Sequence, residues 1–353
     1  IVAAGNPPAY NKSVREFDIV TLDRVRKISI QADTDVWLEY AGEKGIHGAI
    51  LSYLSLKKEN FYIVENTVDG KFFVTARGWE DLSEILKSYE ELQVEIGEEL
   101  IGEFLQKEEI ARDFAGYYRL YEKYKSDYQI QEILDGNVTS RQLKTCCDMG
   151  KQASFEERFT VTEMLLEAVT ERISVFQKTD EKTEKLYENL KLLKIFLQEK
   201  NSVEAMEQFI VSRRKALDAK ICSELLTAEE AAREEEQIRI LEEYFFQLKE
   251  LHISDVAEGI EQIGERFGNV CRLRNEKLEE TKKMLEQAFS FLEECFGEGQ
   301  ELLLFETGLT GDDRCSIFIS QYGCPSYFKH CELLLYSKKE NELRKECRDL
   351  LEE

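Results

Sequence analysis

Beyond residue 136, apolar side chains return every three or four residues in three long, charged runs. These runs lie within residues 186–197, 238–248 and 278–296. Such spacing places the apolar side chains on one narrow stripe of an α-helix and leaves the charged ones in water. The stripes are heptad-like but too short for an extended fibre. The sequence therefore predicts a mainly α protein in which residues 136–353 form an all-α helical bundle or arm.

The composition supports a folded chain and narrows the choice of partners. Hydrophobic residues make up 42% of the chain and there are only 3 prolines, so extensive disorder is not expected. The formal net charge of -24 repels nucleic-acid phosphates and anionic lipid headgroups. No apolar run approaches the length of a membrane span. We therefore expect neither nucleic acid nor a membrane as a partner.

The cysteines favour a reducing compartment and give little support to a metal site. There are 9 of them, an odd number scattered over a long chain, which indicates a cytoplasmic protein. Adjacent Cys146 and Cys147 are interpreted as two reduced thiols rather than a vicinal disulfide. Near the C-terminus, the candidate zinc ligands are Cys315, Cys324, Cys331, Cys347 and His330. Their spacing does not match the paired C-x₂₋₄-C pattern of structural zinc sites, so no metal is predicted.

The first thirty residues contain two short segments with the character of strands. Residues 1–4 are an apolar run typical of a strand buried on both faces, and residues 25–30 form the second segment. The breaker cluster Gly5-Asn6-Pro7-Pro8 places Asn6 at the tip of the first strand, where open parallel sheets bind ligands. Read alone, this cluster is simply a turn. Two isolated strands are marginal in water. We therefore expect these two strands to be the last part of an α/β core that belongs to a longer chain. The alternative is a two-stranded edge on a helical protein.

Three motifs in order resemble the MoxR-type AAA+ ATPases. They are Ala4-Gly5-Asn6-Pro7, Leu22-Asp23-Arg24, and the segment from Thr75 to Leu82 that reads T-A-R-G-W-E-D-L. The resemblance extends over residues 1 to about 135. It depends on all three motifs in the family's order, because no single motif is specific enough by itself. The resemblance implies the end of an AAA+ α/β core at residues 1–33, a helical lid at 34–135, and a helical accessory domain at 136–353.

The resemblance also implies roles for particular residues. Asn6 matches the sensor-1 position, where an amide orients the attacking water, and Arg24 matches the arginine finger that reaches the nucleotide of the next subunit. Arg15 is a rival for the finger. Arg77 matches sensor 2, which holds the nucleotide from the lid. The implied protein uses ATP and Mg²⁺, assembles with itself into a ring, expected to be a hexamer, and remodels an unknown partner protein.

The sequence departs from the family in one large respect. It contains no P-loop of the form G-x-x-x-x-G-K-[ST] and no strand ending in the paired acidic residues that hold Mg²⁺. Those parts lie upstream of Asn6 in the family, so truncation is the simplest explanation. ATP hydrolysis is expected of the full-length chain only, and no cofactor is expected for the fragment alone. The competing hypothesis is a non-enzymatic helical protein-interaction module.

Within the lid, the local patterns predict helices interrupted by a hairpin. Thr34 and Asp35 are expected to cap a first helix, and residues 46–56 and 79–92 carry further helical stripes. Residues 61–64 and 71–74 flank the turn signal Asp69-Gly70, which predicts a β-hairpin. Residues 101–128 are predicted to form one long, tyrosine-rich helix whose aromatic side chains lie in the core.

Overall fold

The computed structural model describes residues 19–24, 26, 28, 30–67 and 70–334. The chain divides into two compact units, Ile1–Tyr117 and Tyr118–Glu353, and this boundary falls within one helix. The prediction of a mainly α protein is confirmed, because the described residues are mostly helical and their two strands form one antiparallel sheet. The division predicted at residues 33 and 135 stays a prediction.

The first unit combines short helices with the hairpin. In chain order its elements are α1 (Ile19–Arg24), α2 (Thr34–Lys44), α3 (Gly48–Leu56), a 3-10 turn (Lys58–Asn60), β1 (Ile63–Thr67), β2 (Gly70–Val74), α4 (Ala76–Glu91), α5 (Glu98–Phe104) and the start of α6 (Glu108–Tyr128). The predicted hairpin is confirmed, with Ile63 opposite Val74 and Thr67 opposite Gly70. The predicted helices at 46–56 and 79–92 correspond to α3 and α4.

Four sequence predictions differ from the described structure or fall on residues outside it. The long helix predicted at 101–128 is two helices, because Leu105 leaves helical geometry and is fully buried, while Glu108 begins a new helix. The cap of α2 is Asp33, one residue before the predicted pair. The predicted strand at 1–4 lies outside the described residues. Of the predicted strand at 25–30, only alternate residues are described, and none of these is in a strand.

The second unit is built from α7 (Ile130–Asp135), α8 (Ser140–Gln152), α9 (Phe155–Lys200), α10 (Ala205–Cys222), α11 (Ala228–Glu250), α12 (Val256–Phe296), α13 (Gln300–Gly311), α14 (Asp313–Tyr322) and α15 (Pro325–Leu334), together with the end of α6. The three predicted stripes fall on α9, α11 and α12. Local signals mark several helix starts: Thr139 and Thr227 form capping boxes with Gln142 and Glu230, and Ser154 caps α9.

The two longest helices, α9 and α12, run antiparallel. Asp180 meets Arg274, while Tyr187, further along α9, stacks on Phe267, which lies earlier in α12. At 46 residues, α9 is about 69 Å long, given a rise of about 1.5 Å per residue. The C-terminal part of α9 packs with α10, α11 and the start of α12 around the buried Leu197, Met206 and Leu241. The prediction of a helical bundle is confirmed for this unit.

One disulfide links α8 to α12. It joins Cys147 to Cys295, while Cys146 is free. The interpretation of Cys146 and Cys147 as reduced thiols is therefore right for Cys146 and wrong for Cys147. The two bonded cysteines are separated by 148 positions in the sequence, so no local spacing indicates their pairing.

Within the described part of the chain, no helix has both the length and the apolar character needed to cross a membrane.

Candidate functional site

Arg77 projects from the first turn of α4, directly after the hairpin. Thr75 caps this helix by accepting a hydrogen bond from the N–H of Gly78 at 3.3 Å. Arg77 is exposed, and no carboxylate among the described residues lies within ion-pair distance of it. A helix N-terminus carries a partial positive charge and unpaired N–H groups. The start of α4 therefore combines a guanidinium with a helix end that favours anions.

Trp79 fixes the orientation of this helix. Its ring is completely buried, and its indole N–H donates to the carbonyl oxygen of Phe61 at 3.1 Å. It packs edge-on against Phe114, with ring centroids 5.3 Å apart, and lies 5.8 Å from the ring of Tyr53. Because Trp79 faces the core, Arg77, two residues earlier in the helix, points to solvent.

Gly78 lies between these two residues, where the chain allows no larger side chain. A Cβ atom at this position would lie 2.7 Å from the carbonyl oxygen of Phe104, at the end of α5. That oxygen is backbone and cannot rotate away. The glycine of the A-R-G-W segment therefore has a clear packing role: it lets α5 end against the first turn of α4.

A polar network joins α3 to α6. The buried Tyr53 hydroxyl donates to Asp113 at 2.8 Å and accepts from the side-chain amide of Asn60 at 2.7 Å. Lys57 reaches the same Asp113 oxygen at 2.6 Å. Burial by itself would raise the pKa of Asp113, but the hydrogen bonds from Lys57 and Tyr53 and the lysine charge hold it below its ordinary value. The network supports the helices on which α4 packs.

His47 joins α3 to the far end of α4. Its Nδ1 accepts from the N–H of Ala49 at 3.1 Å, so Nε2 carries the proton and donates to Glu90 at 2.8 Å. The His47 backbone N–H donates to Ser83 Oγ at 2.9 Å. Both ends of α4 are thus held in place, which gives Arg77 a rigid base.

The structure places only some of the predicted site residues. Asn6 and Arg15 lie outside the described residues. Arg24 is the exposed last residue of α1, and no described acidic side chain pairs with it. Arg77 lies on α4 as set out above. The structure therefore describes Arg24 and Arg77 as separate exposed arginines of the first unit, and their predicted roles stay predictions.

The second unit contains a polar cluster that sequence reasoning missed. Arg274 on α12 donates to Asp180 at 2.7 Å and to the Tyr322 hydroxyl at 2.7 Å, and this hydroxyl donates to the other Asp180 oxygen at 2.7 Å. The guanidinium also lies over the ring of Phe176, 5.4 Å from its centroid. The cluster joins α9, α12 and α14, and all its polar groups are paired, so it stabilises the unit rather than offering a reactive group.

The described residues of the second unit form no metal-ligand cluster, and a concavity on α12 is open rather than enclosed. No group of three or more His, Cys, Asp or Glu side chains that could hold a metal occurs among the described residues. A shallow concavity on α12, between Gly268 and Lys283, is lined by that one helix and opens widely to solvent. Ligand sites are usually enclosed and lined by several elements.

Comparisons with protein-family models, curated proteins and solved structures found no match to this chain.

Proposed function

We propose that this chain is the C-terminal portion of a MoxR-like AAA+ ATPase, a cytoplasmic protein that assembles with itself and uses ATP to remodel a partner protein. In this proposal, residues 34–135 form the nucleotide-sensing lid and residues 136–353 form the helical accessory domain. The partner is a protein, since the charge of -24 disfavours nucleic acid.

The main support for the proposal is the position and exposure of Arg77. It occupies the sensor-2 position of the resembling segment, it is exposed, and it has no carboxylate partner in the described part of the chain. An exposed guanidinium at a helix N-terminus fits a phosphate group, which it can bind with two parallel hydrogen bonds. The buried Trp79 and the close packing at Gly78 hold that guanidinium at a fixed place on the lid.

The residues of this chain would act on the nucleotide mainly by positioning and by charge. ATP with Mg²⁺ supplies the phosphoryl group that passes to water. Arg77 binds phosphate from the lid, so the position of the lid depends on whether nucleotide is present. Asn6 orients the attacking water, and Arg24 neutralises negative charge on the nucleotide of a neighbouring subunit. The phosphate cradle and the Mg²⁺ ligands are not in this sequence.

A first test is the genomic sequence upstream of Ile1. The proposal expects an open reading frame that continues upstream and encodes a G-x-x-x-x-G-K-[ST] loop followed by a strand ending in two acidic residues. A frame that starts just before Ile1, or that lacks this loop, contradicts the proposal and favours the non-enzymatic helical interaction module.

The second test replaces Arg77 in the whole protein encoded by that frame. We expect Arg77→Ala to weaken ATP binding and turnover together by about 10-fold or more, because hydrogen bonds to charged groups contribute about 1.5–3 kcal/mol. The matched control is Arg119→Ala, which removes another exposed arginine from a helix. Nucleotide titration and steady-state hydrolysis measure both effects. Equal behaviour of the two variants would exclude Arg77 as a nucleotide-binding residue.

A further inference from the structure

The Cys147–Cys295 disulfide holds α8, a helix with few fully buried side chains. Of the thirteen residues of α8, the buried ones are Cys146, Cys147 and Gly150. The neighbouring α7 differs, because Ile130, Ile133 and Leu134 are buried in a helix of only six residues. Because Leu143 and Met149 are only half-buried, the hydrophobic effect contributes less per residue to holding α8 than to holding α7.

The disulfide is a covalent attachment of α8 to α12, and the two helices also pack closely around it. A Cβ atom on Gly150 would lie 2.8 Å from the ring of Phe296 and 3.7 Å from Cys295 Cβ, so the two helices are in close contact around the bond. A helix of thirteen residues is marginal in water without such tertiary contacts. Loss of the bond therefore leaves α8 held by noncovalent contacts alone, which makes its local opening easier.

We propose that Cys147 and Cys295 form a redox switch: oxidised, they fasten α8 to α12, and reduced, they release it. The second unit carries other cysteines that are free, among them the exposed Cys222 and the buried Cys315. The disulfide is thus a selective pairing set by the fold. It responds to oxidation in a chain expected to reside in a reducing compartment.

Cys146, the immediate neighbour, does not compete for the bond. Its sulfur lies 3.8 Å from the carbonyl oxygen of Asp127 and 3.9 Å from that of Tyr128. Burial raises the pKa of the Cys146 thiol, which keeps it protonated and unreactive. The fold therefore selects Cys147 as the reacting residue of the pair.

The oxidant we assign is a low-molecular-weight disulfide such as oxidised glutathione. During opening of α8, the Cys147 thiolate attacks one sulfur of this disulfide, which forms a mixed disulfide and releases one small thiol. The Cys295 thiolate then attacks the Cys147 sulfur, forms the protein disulfide and releases the second small thiol. The protein loses two electrons and two protons, and the small disulfide gains them. A dithiol reductant reverses both steps.

The test compares the oxidised and reduced forms of the unaltered chain. Limited trypsin digestion probes Arg141, Lys144 and Lys151, the exposed basic residues of α8, and mass spectrometry reports the cut sites and the linked cysteine peptides. We expect cleavage within α8 to be at least about tenfold faster after reduction, since local opening of α8 requires less free energy when the bond is lost. Cleavage within α9, such as after Arg172, should change little.

Two variants separate this bond from other effects of the reductant. Cys147→Ser should show rapid α8 cleavage under both conditions, whereas Cys222→Ser, which removes an exposed free thiol, should behave like the unaltered chain. If Cys147→Ser does not fold, hydrogen exchange of the α8 amides in the unaltered chain with and without reductant gives the same comparison. Equal α8 protection in the two redox states overturns the proposal. So does the absence of the linked Cys147 and Cys295 peptides after treatment with oxidised glutathione.

Discussion

Two acidic residues of the second unit, the half-buried Asp180 and the buried Glu306, have opposite charge preferences. Asp180 is desolvated, which by itself raises its pKa, but the hydrogen bonds from Arg274 and Tyr322 and the arginine charge hold the pKa below its ordinary value. Glu306 on α13 is only 2% exposed, and its Oε1 has no hydrogen-bond partner among the described residues. Burial raises the pKa of Glu306 to about 7. An ionised Glu306 therefore destabilises the fold.

Glu306 leads to a pH-dependent prediction. In the unfolded chain its pKa is about 4.3, so between about pH 4.3 and pH 7 the folded state holds a proton that the unfolded state has lost. Stability falls as pH rises through this window, and the full cost is present above pH 7. We expect Glu306→Gln to gain about 2 kcal/mol relative to the unaltered chain between pH 5 and pH 8.

Urea unfolding at several pH values measures this difference. The control is Glu298→Gln, since Glu298 is exposed and its removal should leave the pH dependence unchanged. A difference between Glu306→Gln and the unaltered chain that stays constant from pH 5 to pH 8 would show that Glu306 is ionised in the fold throughout this range.

Local sequence signals predicted correctly those helices and strands whose formation depends mainly on their own residues. The hairpin and the helices α3, α4, α9, α11 and α12 follow from apolar spacing, turn residues and caps. The break between α5 and α6 was missed because no proline or glycine marks it. It depends on tertiary burial of Leu105, while Glu108 and Glu109 favour a new helix start.

Around the candidate site, too, local sequence signals predicted the helix but not its long-range contacts. Arg77 was singled out by its motif, and its place at the start of α4 follows from local pattern. The residues that support α4 were not foreseen, because Tyr53 and Asp113 are 60 positions apart and His47 and Glu90 are 43 apart. Pairings at such separations are set by how helices pack, and a single sequence carries no periodic signal of them.

Gly78 provides a test of the packing between α4 and α5. We expect Gly78→Ala to destabilise the first unit by about 1–3 kcal/mol, because its Cβ would lie 2.7 Å from a backbone oxygen. Gly102→Ala is the matched control, since Gly102 lies within α5 and nothing is within 4 Å of its added Cβ. Alanine has a higher helix propensity than glycine, so the control variant should be stabilised by up to about 1 kcal/mol. Thermal melts of the two variants are compared, and destabilisation of both by the same amount would contradict the close approach.

At the scale of the whole molecule, residues 118–135 decide where the helical unit begins. Packing assigns them to the second unit, whereas the family resemblance places them in the lid. Tyr128 is fully buried, its ring meets Phe291 edge-on at 6.4 Å, and its hydroxyl donates to Glu157 at 2.8 Å. Ile133 and Leu134 of α7 are buried in the same unit. These contacts indicate that the helical unit needs this segment for full stability.

The last prediction compares two fragments, residues 118–353 and residues 136–353. Both should be strongly helical by circular dichroism, because α9 and α12 lie in each. The shorter one loses the burial of Tyr128, Ile133 and Leu134 and exposes Phe291, at about 1.5–3 kcal/mol for each large side chain. We therefore expect it to melt about 10 °C or more below the longer fragment, given about 2–4 °C per kcal/mol for a domain of this size. Equal melting temperatures would show that residues 118–135 contribute nothing to the helical unit, and would support the domain boundary at residue 136 that the sequence predicts.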